Sequence, residues 1–362
     1  MDLRILTIGE LKAFVGAPGF AELANVPITP LRAISQQLNP NAQSSDPALV
    51  IAFDETGEVL AYFGCLPDAL SATNTEKICW SSCWWAHPQK GKAAVMPVFY
   101  KALQLWEGKM LFDALPERSQ AVLERMGFFS FREMQGVHAF IRFKFHKVIP
   151  ARLPFLAPLK NIFYGLDILL NLPVQARLSF WKQHKKLPPD VRINPIEKID
   201  KTTAQFIQKL SANDLIQRNA ATFNWIIQYP WLNTSKAFTG RYYFSAYAKQ
   251  FQNSLLQVFR NDQLVAFLWL TYRDGTAKLP YCYVLPGNEE IAVRVLCRQL
   301  IRLRADTFIC FQKNIFEALR KSPPPFLFQK TKTKVFGWSK TLERYFEHQP
   351  YIQDGDGDGM FT

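Results

Sequence analysis

Between Ile78 and Phe128 the chain runs from a strand-like stretch closing on Trp84-Trp85-Ala86-His87-Pro88, through the basic turn Lys90-Gly91-Lys92-Ala93-Ala94, directly into an amphipathic helix. A strand that feeds a helix through so short a glycine turn leaves backbone N–H groups at the helix start without intrahelical partners, and such a terminus attracts anions. Gly91 lets backbone approach a ligand with no Cβ in the way, Ala93 and Ala94 keep the first turn thin, and Lys90 and Lys92 add positive charge. The turn reads as a pyrophosphate cradle, with a solvated basic helix start as the alternative. It lacks both the Lys-Ser/Thr of a nucleotide-hydrolase phosphate loop and the GxGxxG of a dinucleotide turn, so neither assignment applies.

The surrounding pattern places this turn in a domain. Val95, Val98, Phe99, Ala102, Leu103 and Trp106 recur at three- and four-residue steps, which predicts a helix with one buried face. A short strand at 110–115 and a helix at 119–126 ended by Gly127 follow, then a closing hairpin formed by 128–131 and 137–145. Upstream, 31–38 reads as a helix, and 48–53 and 59–65 as a hairpin about Glu55-Thr56-Gly57-Glu58.

This order of strand, basic glycine turn, helix, strand, short helix ending in Met-Gly-Phe, and hairpin resembles the GNAT acyltransferase superfamily over roughly the first 145 residues, a normal domain size. The resemblance implies an acyl-coenzyme A site. In the family a turn of the form Arg/Gln-x-x-Gly-x-Gly/Ala binds the pyrophosphate, and Gln89, Lys90, Gly91, Lys92, Ala93 and Ala94 occupy it here, with Ala where Gly is commoner. Trp84 and Ala86 lie on what looks like the family's splayed strand, whose free backbone groups pair with the pantetheine arm. The implied cofactor is acetyl-CoA or another acyl-CoA.

One departure touches the chemistry. Many relatives carry a Tyr four residues before the Gly-Phe pair to protonate the leaving thiolate, whereas this chain has Leu123. Either another group supplies the proton, or the domain binds acyl-CoA without fast turnover. Attack by a free amine needs mainly positioning and a base. Candidates near the expected cleft are Cys83, His87, Asp113 and Glu117; each also has a structural reading, as a small core residue, a strand-end imidazole and two solvated or capping acids.

The second half repeats the order of elements: helices at 203–210 and 214–227, a hairpin of 254–259 and 264–272 about Asn261-Asp262, a strand at 277–285, a helix at 289–304, a strand at 307–311, a short helix at 315–320 and a hairpin over 326–338. The expected fold is therefore α+β: two GNAT-like domains, each a mixed, mostly antiparallel sheet flanked by helices. The domains are expected at 1–147 and 195–345, joined by a basic helical connector, 148–194, and followed by an acidic Asp-Gly tail, 346–362. The second copy reads as degenerate, because Leu285-Pro286-Gly287-Asn288-Glu289-Glu290 puts carboxylates where phosphate needs cations and N–H groups.

Residues 142–186 hold nine basic side chains against one acid, Asp167, around an apolar stretch, 153–172, that Pro154, Pro158, Lys160 and Asp167 interrupt. A spanning helix is not expected there. The adopted reading is a connecting helix packed between the domains, and the alternative is peripheral contact with a membrane or polyanion. The tail, with carboxylates at 354, 356 and 358, starts like a calcium loop but lacks the distal Glu, so no metal site is assigned and a flexible tail is expected.

Six cysteines without a CxxC pair read as reduced thiols, and the opening Met-Asp-Leu-Arg has no signal segment, so the expected location is the cytoplasm. The net charge of +13 suits an anionic ligand. Three functional readings follow: an N-acyltransferase acting on a small-molecule or glycan-precursor amine; a tandem GNAT-type transferase that takes amino acids from charged transfer RNA, for which no nucleic-acid motif stands out; and a non-catalytic GNAT-like binding module.

Overall fold

The computed structural model describes residues 1–70, 76–321 and 325–362. In chain order it forms β1 (Asp2–Thr7), α1 (Leu11–Gly16), α2 (Pro30–Gln37), β2 (Pro47–Phe53), β3 (Val59–Leu70), β4 (Glu76–Ala86), α3 (Val95–Leu105), β5 (Met110–Phe112), α4 (Glu117–Met126) and β6 (Phe129–Phe140). Then come α5 (Phe145–Arg152), α6 (Lys160–His184), β7 (Val191–Ile196), α7 (Lys201–Leu210), α8 (Ala220–Gln228), β8 (Phe251–Arg260) and β9 (Gln263–Arg273). The chain ends with β10 (Thr276–Val284), α9 (Glu289–Arg302), β11 (Thr307–Cys310), α10 (Lys313–Lys321) and β12 (Phe328–Ser339). Local chemistry explains many of the boundaries. The Thr29 hydroxyl accepts the Arg32 amide at 3.3 Å with Pro30 at the first position of α2, Asp200 and Asn219 cap α7 and α8 in the same way, and Gly127 ends α4 at φ +71°. Asn261 and Asp262, both at positive φ, turn β8 into β9.

Two compact units result, one of residues 1–134, 198–251 and 334–362, the other of 135–197 and 252–333. In the first, strands run β1-β2-β3-β4-β5-β12, with β4–β5 parallel and the other pairs antiparallel. In the second they run β7-β8-β9-β10-β11-β6, with β10–β11 parallel. The repeated strand, strand, strand, helix, strand, helix, strand order is present in both units.

The closing hairpins expected at 128–145 and 326–338 are instead the single strands β6 and β12. Gly136 sits inside β6, where a Cβ would land on the Cys310 carbonyl and the Phe311 ring. Glycine in a strand marks close packing as readily as a bend. Val137–Phe140 then pair with β11, while Gly337 and Trp338 of β12 pair with Phe112 and Leu111 of β5. The units therefore depart from the linear division at 147 and 195.

The expected flexible tail is packed. Asp356, Met360 and Phe361 are each no more than 2% exposed, and Phe361 stacks on Trp231 at 4.3 Å and edge-on to Trp225 at 5.0 Å. Composition predicted a solvated Asp-Gly segment. Two cations decide otherwise: Asp354 pairs with Lys334 at 2.7 Å and Asp358 with Arg32 at 3.1 Å, so the carboxylates enter the interior already neutralised.

Candidate active site

The candidate site builds on the way β4 parts from β5. Cys79 and Trp80 pair with Met110 and Leu111, β5 ends at Phe112, and β4 continues to Ala86. Two steps beyond the last pair, β4 bulges: Gly64 of β3 pairs with Cys83 and Cys65 with Ser81, which leaves Ser82 as the extra residue. A bulge re-aims the side chains that follow it. Cys79 and Trp84 thus share the apolar cluster beneath α3, whereas Cys83 and Trp85 join the cluster with α1 on the opposite face. Gly64 is required here, because its Cβ would collide with Cys83 Sγ. Ser82 is 5% exposed, and its hydroxyl has no hydrogen-bond partner among the described residues. A buried hydroxyl left unpaired at a bulged strand edge suits a ligand's polar atom.

Trp84 fastens the start of α3 to this edge, stacking on Phe99 at 4.9 Å and donating from Nε1 to the Val95 carbonyl at 3.3 Å. The turn between them differs from its expected form. His87 Nδ1 accepts the amides of Gln89 (3.2 Å) and Lys90 (3.1 Å), and the Gly91 amide donates to the His87 carbonyl at 2.8 Å. Gly91 is buried, with its Cβ position on the Leu60 carbonyl, so it admits the chain's own β3 and not a ligand. Lys90 Nζ is bound to Glu58, which raises the lysine pKa. What stays exposed lies one step later, at Lys92 and Ala93 and the first turn of α3, where helix geometry strands amides and Pro97 has none to offer. The group that the resemblance implies fits that helix start and the β4 edge; it does not fit the amides of 89–91.

On the other face, around Arg32, lies a buried polar cluster. From α2, Arg32 reaches the Ser82 carbonyl at 2.6 Å, the Tyr242 hydroxyl oxygen at 2.5 Å and Asp358 at 3.1 Å, with its guanidinium 3.9 Å above the Trp231 ring. Burial disfavours its charge, but the Tyr242 hydroxyl oxygen and the Asp358 carboxylate more than offset that, so it stays charged. Burial raises Tyr242, against the pull of Arg32, and keeps its hydroxyl protonated. Next to it Trp80 Nε1 donates to Asp68 Oδ2 at 3.0 Å, which also takes Arg218 at 2.9 Å, while Gly357 is pressed on the Trp80 ring. The C-terminal segment therefore lies over the β4 end on the face opposite α3. Asp356 is pushed up to about 8, chiefly by burial, with Arg218 opposing and Asp214 and Asp68 adding to the rise.

The four candidate catalytic residues separate. Cys83 is buried beside Arg32, with its thiol pushed up to about 11 by burial, and is therefore a neutral thiol and a poor nucleophile. His87 caps its own turn. Asp113 follows β5 and pairs with Lys334 at 2.8 Å. Glu117 is exposed in the first turn of α4, as a capping acid would be, and Leu123 is fully buried. Sequence reasoning missed Arg32, Tyr242, Lys334 and Asp358. No local signal marks them, since Arg32 and Asp358 are 326 residues apart.

In the second unit the matching strand, β10, bulges at Leu279-Pro280, and the Gln312 side chain donates to the Pro280 carbonyl at 2.7 Å and the Leu279 carbonyl at 3.5 Å. The protein's own amide thus occupies that edge. At the start of α9, Gly287, Glu289, Glu290, Asn314, Glu317, Ala318 and Lys321 line a cleft of about 560 Å³, in which three carboxylates face one cation. A pyrophosphate would be repelled there.

No protein-family model and no curated protein matches the sequence. Among solved structures the chain is similar to a probable N-acyltransferase from Enterococcus faecalis, with a TM-score of 0.51 at 10% identity over 96% of this chain and 74% of that one. It is also similar to a GCN5-related N-acetyltransferase from Anabaena variabilis (TM-score 0.49, 11% identity, 93% of this chain and 72% of that one). A tandem GNAT protein from the clavulanic acid biosynthesis pathway matches with a TM-score of 0.46 and 11% identity over 93% of this chain and 98% of that one. At such identities the likeness is one of fold. The likeness and the topology that the two units repeat make this an α+β chain whose two units are GNAT-like in the order of their elements.

Proposed function

We propose that the protein is an N-acyltransferase that uses acyl-coenzyme A and an amine acceptor, with its one donor site in the first unit. The observation that carries this reading is the β4 edge beyond Trp80, where a bulge leaves the Ser82 hydroxyl buried and, among the described residues, unpaired, while Lys92 stands exposed at the helix start that follows β4. The equivalent edge and helix start of the second unit are filled by Gln312 and lined by carboxylates.

When bound, the thioester supplies an activated acyl carbon: the amine nitrogen forms the C–N bond, the C–S bond breaks, and the thiolate leaves. The chain's residues would hold and orient. The β4 edge and Ser82 would align the pantetheine, and Lys92, Ala93 and the α3 amides would receive the pyrophosphate. Leu123 has no proton to give. Tyr242 does, and Arg32 links its hydroxyl to the Ser82 carbonyl. The acceptor is proposed to be a small-molecule or glycan-precursor amine, and the six free cysteines suit a reducing, cytoplasmic setting. A second reading, binding without turnover, is favoured by the internal capping of the 89–91 amides.

Isothermal titration with coenzyme A tests the donor site, and thiol release from acetyl-CoA in the presence of an amine panel tests turnover. One site per chain, weakened about tenfold in Ala93→Glu, is expected. No binding overturns the proposal, and binding with no thiol release for any amine selects the second reading.

A further inference from the structure

Within the second unit, helix α6 presents an apolar face to solvent. More than half of the exposed large hydrophobic side chains among the described residues lie between Val148 and Phe180. The helix cannot turn this face inward, because its other side is already engaged. Asp167 accepts the amides of Phe145 at 2.7 Å and His146 at 3.0 Å, Asn171 bonds both backbone groups of Phe143, and Val174 and Leu178 enter the core of the unit. Positions 162, 165, 169, 172, 176 and 180 then share the outward stripe at three- and four-residue steps, and they are Ile, Gly, Leu, Leu, Ala and Phe. Ile162, Leu169, Leu172 and Phe180 are each more than 60% exposed, and Phe155, just before the helix, is 74% exposed. The stripe carries no charge over about 27 Å.

Cations border it. Arg177 flanks the stripe, Lys182, Lys185 and Lys186 close its C-terminal end, and Arg152 and Lys160 lie at its N-terminal end, all on exposed positions. The one acid of the segment, Asp167, is buried under the helix and spent on capping α5. A second copy of this chain would bring a matching ring of cations against this one, so like charges oppose self-association. No helix among the described residues is long and apolar enough to cross a membrane.

We propose that this face is a peripheral membrane-binding surface, and that its partner is an anionic phospholipid bilayer in which α6 lies in the plane of the interface. Outward apolar side chains enter the acyl boundary while the bordering lysines and arginines meet lipid phosphates. This reverses the expectation of a connector with its apolar side packed away. The full-length protein should sediment with vesicles of equal parts phosphatidylglycerol and phosphatidylcholine, much less with phosphatidylcholine alone, and less as salt rises. The double substitution Leu169→Gln, Leu172→Gln should lower vesicle affinity about tenfold, and Lys182→Gln with Lys185→Gln severalfold, with melting temperatures and coenzyme A binding unchanged. Three results would overturn the proposal: no sedimentation with anionic vesicles, sedimentation indifferent to the leucine pair, or light scattering that shows a dimer which the leucine pair dissolves.

Discussion

The starts of α3 and α9 occupy the same place in two copies of one topology, and their chemistry is opposite. Before α3 the turn is drawn tight by Gly91 against β3 and by the His87 ring, leaving Lys92 and Ala93 exposed at the helix end. Before α9, Gly287 stands at φ +83° with open space around it, and Glu289 and Glu290 suit the helix N-terminus they occupy. One start carries an exposed cation and no carboxylate; the other satisfies its own dipole with two acids. Both bulges have a carbonyl taken from within, Ser82 by Arg32 and Leu279-Pro280 by Gln312, and only the first adds a buried hydroxyl with no partner among the described residues.

The sharpest way to break this contrast is through its supports. Asp68 and Arg218 form a buried pair in the first unit, whereas Asp190 and Arg260 pair on the surface of the second. Asp68→Ala should destabilise by about 3–5 kcal/mol in urea melts, since it removes the buried carboxylate that Arg218 and Trp80 share, and Asp190→Ala by less than about 1 kcal/mol. Equal effects would mean that the buried cluster does not organise the first unit.

Removing the aromatic anchor of the C-terminal segment comes next. Phe361→Ala should cost about 3 kcal/mol, and it should expose the β4 end to faster hydrogen exchange. An unchanged Tm would show that the segment is peripheral.

The two glycines separate packing from conformation. Gly91→Ala should cost about 1–3 kcal/mol by overpacking against Leu60, and Gly287→Ala about 1 kcal/mol for its positive φ alone. If Gly91→Ala folds as stably as the parent yet loses coenzyme A, the glycine faces the ligand after all.

Charge changes test the ligand contrast itself. Ala93→Glu should weaken coenzyme A roughly tenfold, worth about 1.4 kcal/mol, and Glu289→Gln with Glu290→Gln should leave both affinity and stoichiometry alone. A second site appearing in the latter variant would make the carboxylates the sole barrier.

The smallest effect expected is on pH dependence. Asp356, pushed up to about 8, binds its proton more tightly folded than unfolded, so its contribution is fully present below the ordinary carboxylate value near pH 4 and is lost as pH rises through about 8. Asp356→Asn should flatten the decline of Tm between pH 5 and 8. A decline as steep in the variant would assign it to other groups.

What the sequence determined by itself was whatever short-range chemistry controls. The periodicity of Val95 to Trp106, the Gly127 stop, the Asn261-Asp262 turn and the carboxylates before α9 all act within a few residues, and they carried the repeated α+β topology and the unequal helix starts. The first turn was half legible: Lys92 and Ala93 are exposed at the helix start, but whether a backbone amide is free depends on where His87 turns its ring, and Gly91 could be assigned only once Leu60 was seen beneath it. Tertiary structure alone decided that β6 and β12 are single strands, that 198–251 and the acidic tail belong with the first unit, and that the apolar stripe of α6 faces outward. Each of these turns on a partner hundreds of residues away, or on which of two faces is already taken. Composition cannot say that Asp358 will meet Arg32, because burying a carboxylate costs too much until that cation is in place.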